Sequence, residues 1–149
     1  MFKVFLTILS LCGLCLAGKI KYDDCGTKVG VVHSVDVTSC SAPPCAFHKG
    51  QDYTVAINFT SGVSTPRVTV VAMILIVGAG VPIPIPLGTT DACKRGVICP
   101  VHAKDLDVYK GIVNVPVEDP LMAGDTIWEL KTLKGEELAC IKFAAEVQS

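Results

Sequence analysis

Residues 68–87 read Val-Thr-Val-Val-Ala-Met-Ile-Leu-Ile-Val-Gly-Ala-Gly-Val-Pro-Ile-Pro-Ile-Pro-Leu. About 20 apolar residues suffice for a membrane helix. Here, however, Gly78 and Gly80 weaken the middle, and Pro82, Pro84 and Pro86 each fix φ and withdraw a backbone donor. A helix would break halfway and leave a first piece too short to span. The run therefore reads as extended chain in two parts. Residues 68–77, rich in β-branched side chains, predict a strand buried on both faces, and the Gly-Ala-Gly that follows turns the chain. Val81, Ile83 and Ile85 then alternate with proline at a period of two. Proline cannot serve a central ladder, so this second part is an edge strand or a polyproline-like rim. Its aliphatic row either caps a core or forms the lip of a ligand site; pattern alone leaves both open.

The start of the chain predicts its compartment. Lys3 precedes an apolar stretch, and Cys15-Leu16-Ala17 offers small residues where signal peptidase reads, so residues 1–17 are expected to be a secretory signal. Removing 17 of the 149 residues leaves 132, residues 18–149, enough for one domain with a real core. Lys3 leaves with the signal, so 12 basic residues face 14 acidic ones, a net charge of −2. No basic run points to nucleic acid. Mean hydropathy of +0.52 marks an unusually apolar interior for a secreted domain. Of eight cysteines, six remain: Cys25, Cys40, Cys45, Cys93, Cys99 and Cys140. An even count in a secreted chain implies disulfides. Cys40 and Cys45, and Cys93 and Cys99, are close neighbours across turn-rich loops; if each pair closes locally, Cys25 is left for Cys140. No Cys-x-x-Cys spacing supports a zinc site.

Further strands follow from alternation. Residues 30–37 place Val31, His33, Val35 and Val37 on one side, and residues 53–60 place Tyr53, Val55, Ile57 and Phe59 toward a core. Asn58-Phe59-Thr60 is an N-glycosylation sequon, which needs water, and parity puts Asn58 on the outer face. Residues 101–110 and 112–117 read as a hairpin turning near Lys110-Gly111. Two last strands, 126–133 and 138–147, carry Trp128 and Leu130, then Ile141, Phe143, Ala145 and Val147, each set on one face. No segment holds a helical period, and short strands punctuated by turns indicate an all-β sandwich or barrel.

Catalytic motifs are absent from the sequence. Gly78-Ala-Gly80 cannot open a phosphate-binding helix because prolines follow it. His33, His48 and His102 stand apart, with no nucleophile elbow and no His-Glu-x-x-His pair. The acidic pairs Asp23-Asp24, Glu118-Asp119 and Glu136-Glu137 are adjacent, which suits solvated loops. Binding, without an enzyme activity, metal or cofactor, is the expectation.

Asp24-Cys25-Gly26, Pro44-Cys45 with Lys49-Gly50, the Val-Pro-Ile-Pro-Ile-Pro segment, residues 91–100 (Asp-Ala-Cys-Lys-Arg-Gly-Val-Ile-Cys-Pro) and Leu138-Ala-Cys140 together resemble the ML-domain (lipid-recognition) family. That family includes the small soluble sterol carriers of the Niemann-Pick type C pathway and the mite group-two allergens. The resemblance implies an immunoglobulin-like sandwich of two antiparallel sheets with one lipid, a sterol or a fatty acid, between them. It also implies the pairing Cys25–Cys140, Cys40–Cys45 and Cys93–Cys99. It carries pocket roles onto Val37, Phe47, Tyr53, Val55, Ile83, Ile85, Val117 and Trp128; parity adds Ile57. Val81 falls on the rim, and Asp91 matches a position tied to handing the lipid over. Ile85 stands where the sterol carriers have phenylalanine, and Asp119 where they have tyrosine. The implied protein is a secreted monomer, extracellular or in the lysosomal or endosomal lumen, that meets a membrane or lipid acceptor transiently. The other function the resemblance allows is an innate-immunity or allergen-like recognition module working through a protein partner.

Overall fold

The computed structural model of the chain describes residues 17–149. The expected signal, residues 1–17, lies outside the described residues except for Ala17, which opens the first strand. Ten strands follow: β1 (Ala17–Lys19), β2 (Asp23–Asp24), β3 (Gly30–Thr38), β4 (Cys45–His48), β5 (Asp52–Ser61), β6 (Val68–Ile76), β7 (Pro82–Pro84), β8 (Leu106–Asn114), β9 (Met122–Thr132) and β10 (Glu137–Gln148), with one 3-10 turn at Ala92–Lys94. They form two sheets. One has four strands in the order β1-β3-β5-β8; the other runs β2-β10-β9-β6-β7, with β4 added beside β10. The pairings are antiparallel except β4–β10, which is parallel. The molecule is an immunoglobulin-like sandwich.

The core is the alternate residues of the long strands. Tyr53, Val55, Ile57 and Phe59 of β5 are buried, as are Trp128 and Leu130 of β9 and Ile141, Phe143 and Ala145 of β10. Each such side chain contributes about 1.5–3 kcal/mol on burial, which is why the period of two specifies register so firmly.

Three expectations need correction. First, β6 is buried on one face only: Val68, Val70, Ala72 and Ile74 face inward, while Thr69 and Val71 are exposed. Nothing covers the outer face of this sheet as helices cover a parallel one. Second, Val31 and His33 do not share the inner face with Val35 and Val37. Val32 opposes Phe59 while Ser34 opposes Asn58, so His33 is an extra residue, a bulge that reverses the parity before it. Val31 is 58% exposed, and the His33 ring nitrogen Nε2 sits 2.6 Å from Thr60 Oγ1 on the solvent side. Third, residues 101–117 are no hairpin. β8 runs unbroken through Lys110-Gly111 and pairs with β5 from Leu106 to Asn114. Gly111 is there for room: a Cβ would lie 2.6 Å from Tyr109 Oη and 2.9 Å from Trp128 Cζ3.

The central run divides as its prolines require. Gly78 and Gly80 hold φ of +81° and +69° in the turn, a region glycine enters freely. β7 then pairs only with β6 and forms the sheet edge. The disulfides Cys25–Cys140, Cys40–Cys45 and Cys93–Cys99 are formed, with sequence separations of 115, 5 and 6. In the chain-entropy model, closing the long loop contributes about 4–5 kcal/mol and a short one about 2. Replacing Cys25 and Cys140 together by Ala is therefore expected to lower unfolding free energy, measured in urea, about twice as much as replacing Cys40 and Cys45. Equal losses would contradict this.

Candidate functional site

A cavity of about 380 Å³ opens between the inner face of the six-stranded sheet and the end of β8. Ile74, Trp128, Phe143, Ala145 and Val147 supply the sheet wall, Phe47 extends it, and Ile83 and Ile85 close the edge. Across the gap stand Val113 and Val115, then Pro116, Asp119 and Pro120 of the loop before β9. The volume lies within the roughly 300–1,000 Å³ of small-molecule sites.

Local chemistry places these side chains. Ile83 and Ile85 point inward because proline takes the alternate positions, and the Ile85 N–H donates to the Ala72 carbonyl (2.9 Å), anchoring the segment just past β7. Phe47 lies beside Val147 through the parallel pairing of β4 with β10. Tyr53 holds it there: the rings meet edge to face at 4.7 Å, and Tyr53 Oη accepts the His48 N–H (2.6 Å). Tyr53 thus positions the wall and is not in it.

Of the expected pocket residues, Phe47, Ile83, Ile85 and Trp128 come together around the cavity. Val37, Val55 and Ile57 are fully buried in the core outside the lining, where the inner faces meet and leave no gap. Val117 is 70% exposed on its loop and Val81 64% exposed beside β7. Asp91 lies away from the cavity. Its Oδ1 accepts the Cys93 N–H (3.0 Å), and Oδ2 pairs with Arg67 (3.3 Å). Asn58 is on the outer face of β5, donating to Ser34 Oγ (2.9 Å).

Val113, Val115 and Met122 were missed from the sequence. The first two belong to what read as a hairpin arm, and Met122 precedes the predicted start of β9. Phe143, Ala145 and Val147 were legible as one face, though not as a cavity wall.

The lining is nearly devoid of charge. Thr126 Oγ1 donates to the Phe143 carbonyl (3.1 Å) and the Asn114 amide donates to Asp52 (2.5 Å), so neither seeks a partner within. Asp119 stands at the mouth. Glu129, Glu137 and Cys140 place ligand atoms within 4.8 Å of one another on the outside of β9 and β10, but Cys140 is in a disulfide and offers no thiolate. The arrangement suits an apolar guest. Gly111→Ala is expected to push Tyr109 and Trp128 off their positions, at about 1–3 kcal/mol of stability, measurable as a fall in urea midpoint; an unchanged midpoint would contradict the close approach.

Comparison with known proteins gives a consistent answer. A family model described as ML domain matches residues 19–147. The NPC intracellular cholesterol transporter 2 of Danio rerio is 38% identical over 140 residues, covering 94% of this chain and 93% of that protein. The mite group 2 allergen Gly d 2.02 of Glycyphagus domesticus is 34% identical over 131 residues, covering 88% and 100%. A solved Niemann-Pick type C2 protein from Japanese carpenter ant superposes with a TM-score of 0.78 at 28% identity, covering 86% of this chain and 99% of that one.

Proposed function

We propose that this chain, which belongs to the ML-domain family, is a secreted, non-enzymatic carrier that encloses one sterol or fatty acid in its inter-sheet cavity and delivers it to a membrane or acceptor. The observation that carries the proposal is the cavity of about 380 Å³ with an apolar lining, open at a proline-stiffened edge. Enclosing such a lipid removes on the order of 400 Å² of apolar ligand surface from water, about 10 kcal/mol at roughly 25 cal/mol per Å². Association and desolvation take back several kcal/mol, which leaves about micromolar affinity or better. Relatives named as cholesterol transporters favour a sterol. Ile85 and Asp119, in place of aromatic residues at the mouth, favour a looser choice that includes fatty acids.

Delivery uses the rim. Val81, Ile83, Val117 and Leu121 are exposed aliphatic side chains on the segments that border the mouth, and they meet a lipid surface or acceptor during transfer. Residues 1–17 direct secretion, Asn58 carries a glycan on the face away from the cavity, and the carrier works as a monomer in an extracellular, lysosomal or endosomal lumen.

Ile85→Asp is the direct test. A carboxylate in an apolar wall costs several kcal/mol, so binding of a fluorescent sterol or fatty acid is expected to fall at least about tenfold while circular dichroism and the unfolding midpoint remain near the wild type; undiminished binding would refute the pocket. Asp91→Ala is expected to leave equilibrium affinity unchanged, to cost about 1 kcal/mol of stability through the lost turn cap and the exposed Arg67 pair, and to slow transfer to acceptor vesicles. Transfer at the wild-type rate would assign Asp91 to structure alone.

A further inference from the structure

Among the described residues lining the cavity, one buried side-chain polar atom has no hydrogen-bond partner: Nε1 of Trp128. Trp128 is 1% exposed and lies in the interior of the six-stranded sheet, opposite Ala72 of β6 and Ile141 of β10. It therefore stands well in from the edge where β7 and Asp119 border the mouth. A second unpartnered group is beside it. Tyr109 of β8 is fully buried, its hydroxyl bonds to nothing, and its ring lies 6.4 Å from the indole, centroid to centroid. Both Tyr109 Oη and Trp128 Cζ3 press on Gly111, whose next inward neighbour, Val113, lines the cavity.

Burying a hydroxyl and an indole N–H without partners costs their hydration with nothing returned. Phenylalanine would serve a purely hydrocarbon guest at either place. The indole N–H can only donate, while the phenol can donate and accept, so an oxygen atom of the guest complements both. Burial also pushes the Tyr109 phenol up to about 12, against the opposing pull of Arg95, so it remains a donor at physiological pH. We infer that the inner end of the cavity is a polar ledge for a lipid oxygenated at its buried end, such as a sterol hydroxylated on its side chain, with the oxygen accepting from Trp128 Nε1 and meeting Tyr109 Oη. This rests on the carrier function proposed above and narrows its ligand class.

The test is competition by cholesterol and by 25-hydroxycholesterol against a fluorescent sterol, on the secreted, disulfide-intact protein. The wild type is expected to favour the side-chain-hydroxylated sterol by about fivefold to tenfold, the worth of one hydrogen bond. Tyr109→Phe, which keeps the ring, is expected to bring that ratio to about twofold or less while cholesterol affinity is held. Trp128→Phe is expected to collapse the ratio as well, whatever its wider cavity does to both affinities. Equal affinity for the two sterols in the wild type, or a preference that survives both substitutions, overturns the ledge and leaves the carrier standing. Failure of the wild type to bind either sterol or a fluorescent fatty acid overturns both.

Discussion

The site depends on an edge that cannot be extended. Pro82, Pro84 and Pro86 leave β7 without the donors another strand would need, so the six-stranded sheet ends there. The same prolines occupy the outward positions and turn Ile83 and Ile85 toward the interior. On the other sheet, β8 is also an edge, and beyond Val115 it gives way to the Pro116–Pro120 loop. Two sheet edges that cannot pair with each other leave a slot, and apolar side chains on both sides of it make the slot a container. The exposed edge is blunted by proline, the usual protection against strand addition.

Cross-links hold the container's two ends in place. Cys25–Cys140 fastens β2 to β10, the strand that carries Phe143, Ala145 and Val147. Cys40–Cys45 closes the turn that delivers β4 alongside β10 and so sets Phe47 in the wall. Cys93–Cys99 ties down the segment between the two sheets, whose turn is capped by Asp91. A domain that leaves space in its centre forgoes part of the packing a solid core would have, and constraining the unfolded chain is one way to offset that.

Much of this was legible because each long strand has one wet face. In β5, β9 and β10 the alternation of polar and apolar residues marks the inner side without ambiguity, and proline at alternate positions marks the edge. What escaped was information that lives between strands. The bulge at His33 reverses parity in β3, yet no local residue signals it, because the extra residue is defined by its partner strand. Gly111 looks like a turn glycine next to Lys110; its cause is the indole of Trp128 and the hydroxyl of Tyr109, 17 and 2 positions away. Val37, Val55 and Ile57 face inward as the pattern demands, but inward is not the same as cavity-lining. Where the sheets separate depends on their relative placement, and Val113 and Val115 were overlooked for that reason. Family resemblance supplied the idea of a gap, and the structure located it nearer one edge.

The central claim is that the gap holds one lipid. Native mass spectrometry of the secreted, disulfide-intact protein, followed by organic extraction and identification of what is released, tests it most directly. The account predicts a mass excess matching a single sterol or fatty acid, or its appearance at one equivalent when the apo protein is titrated with either. A protein that leaves the cell at its bare mass and takes up neither would contradict it.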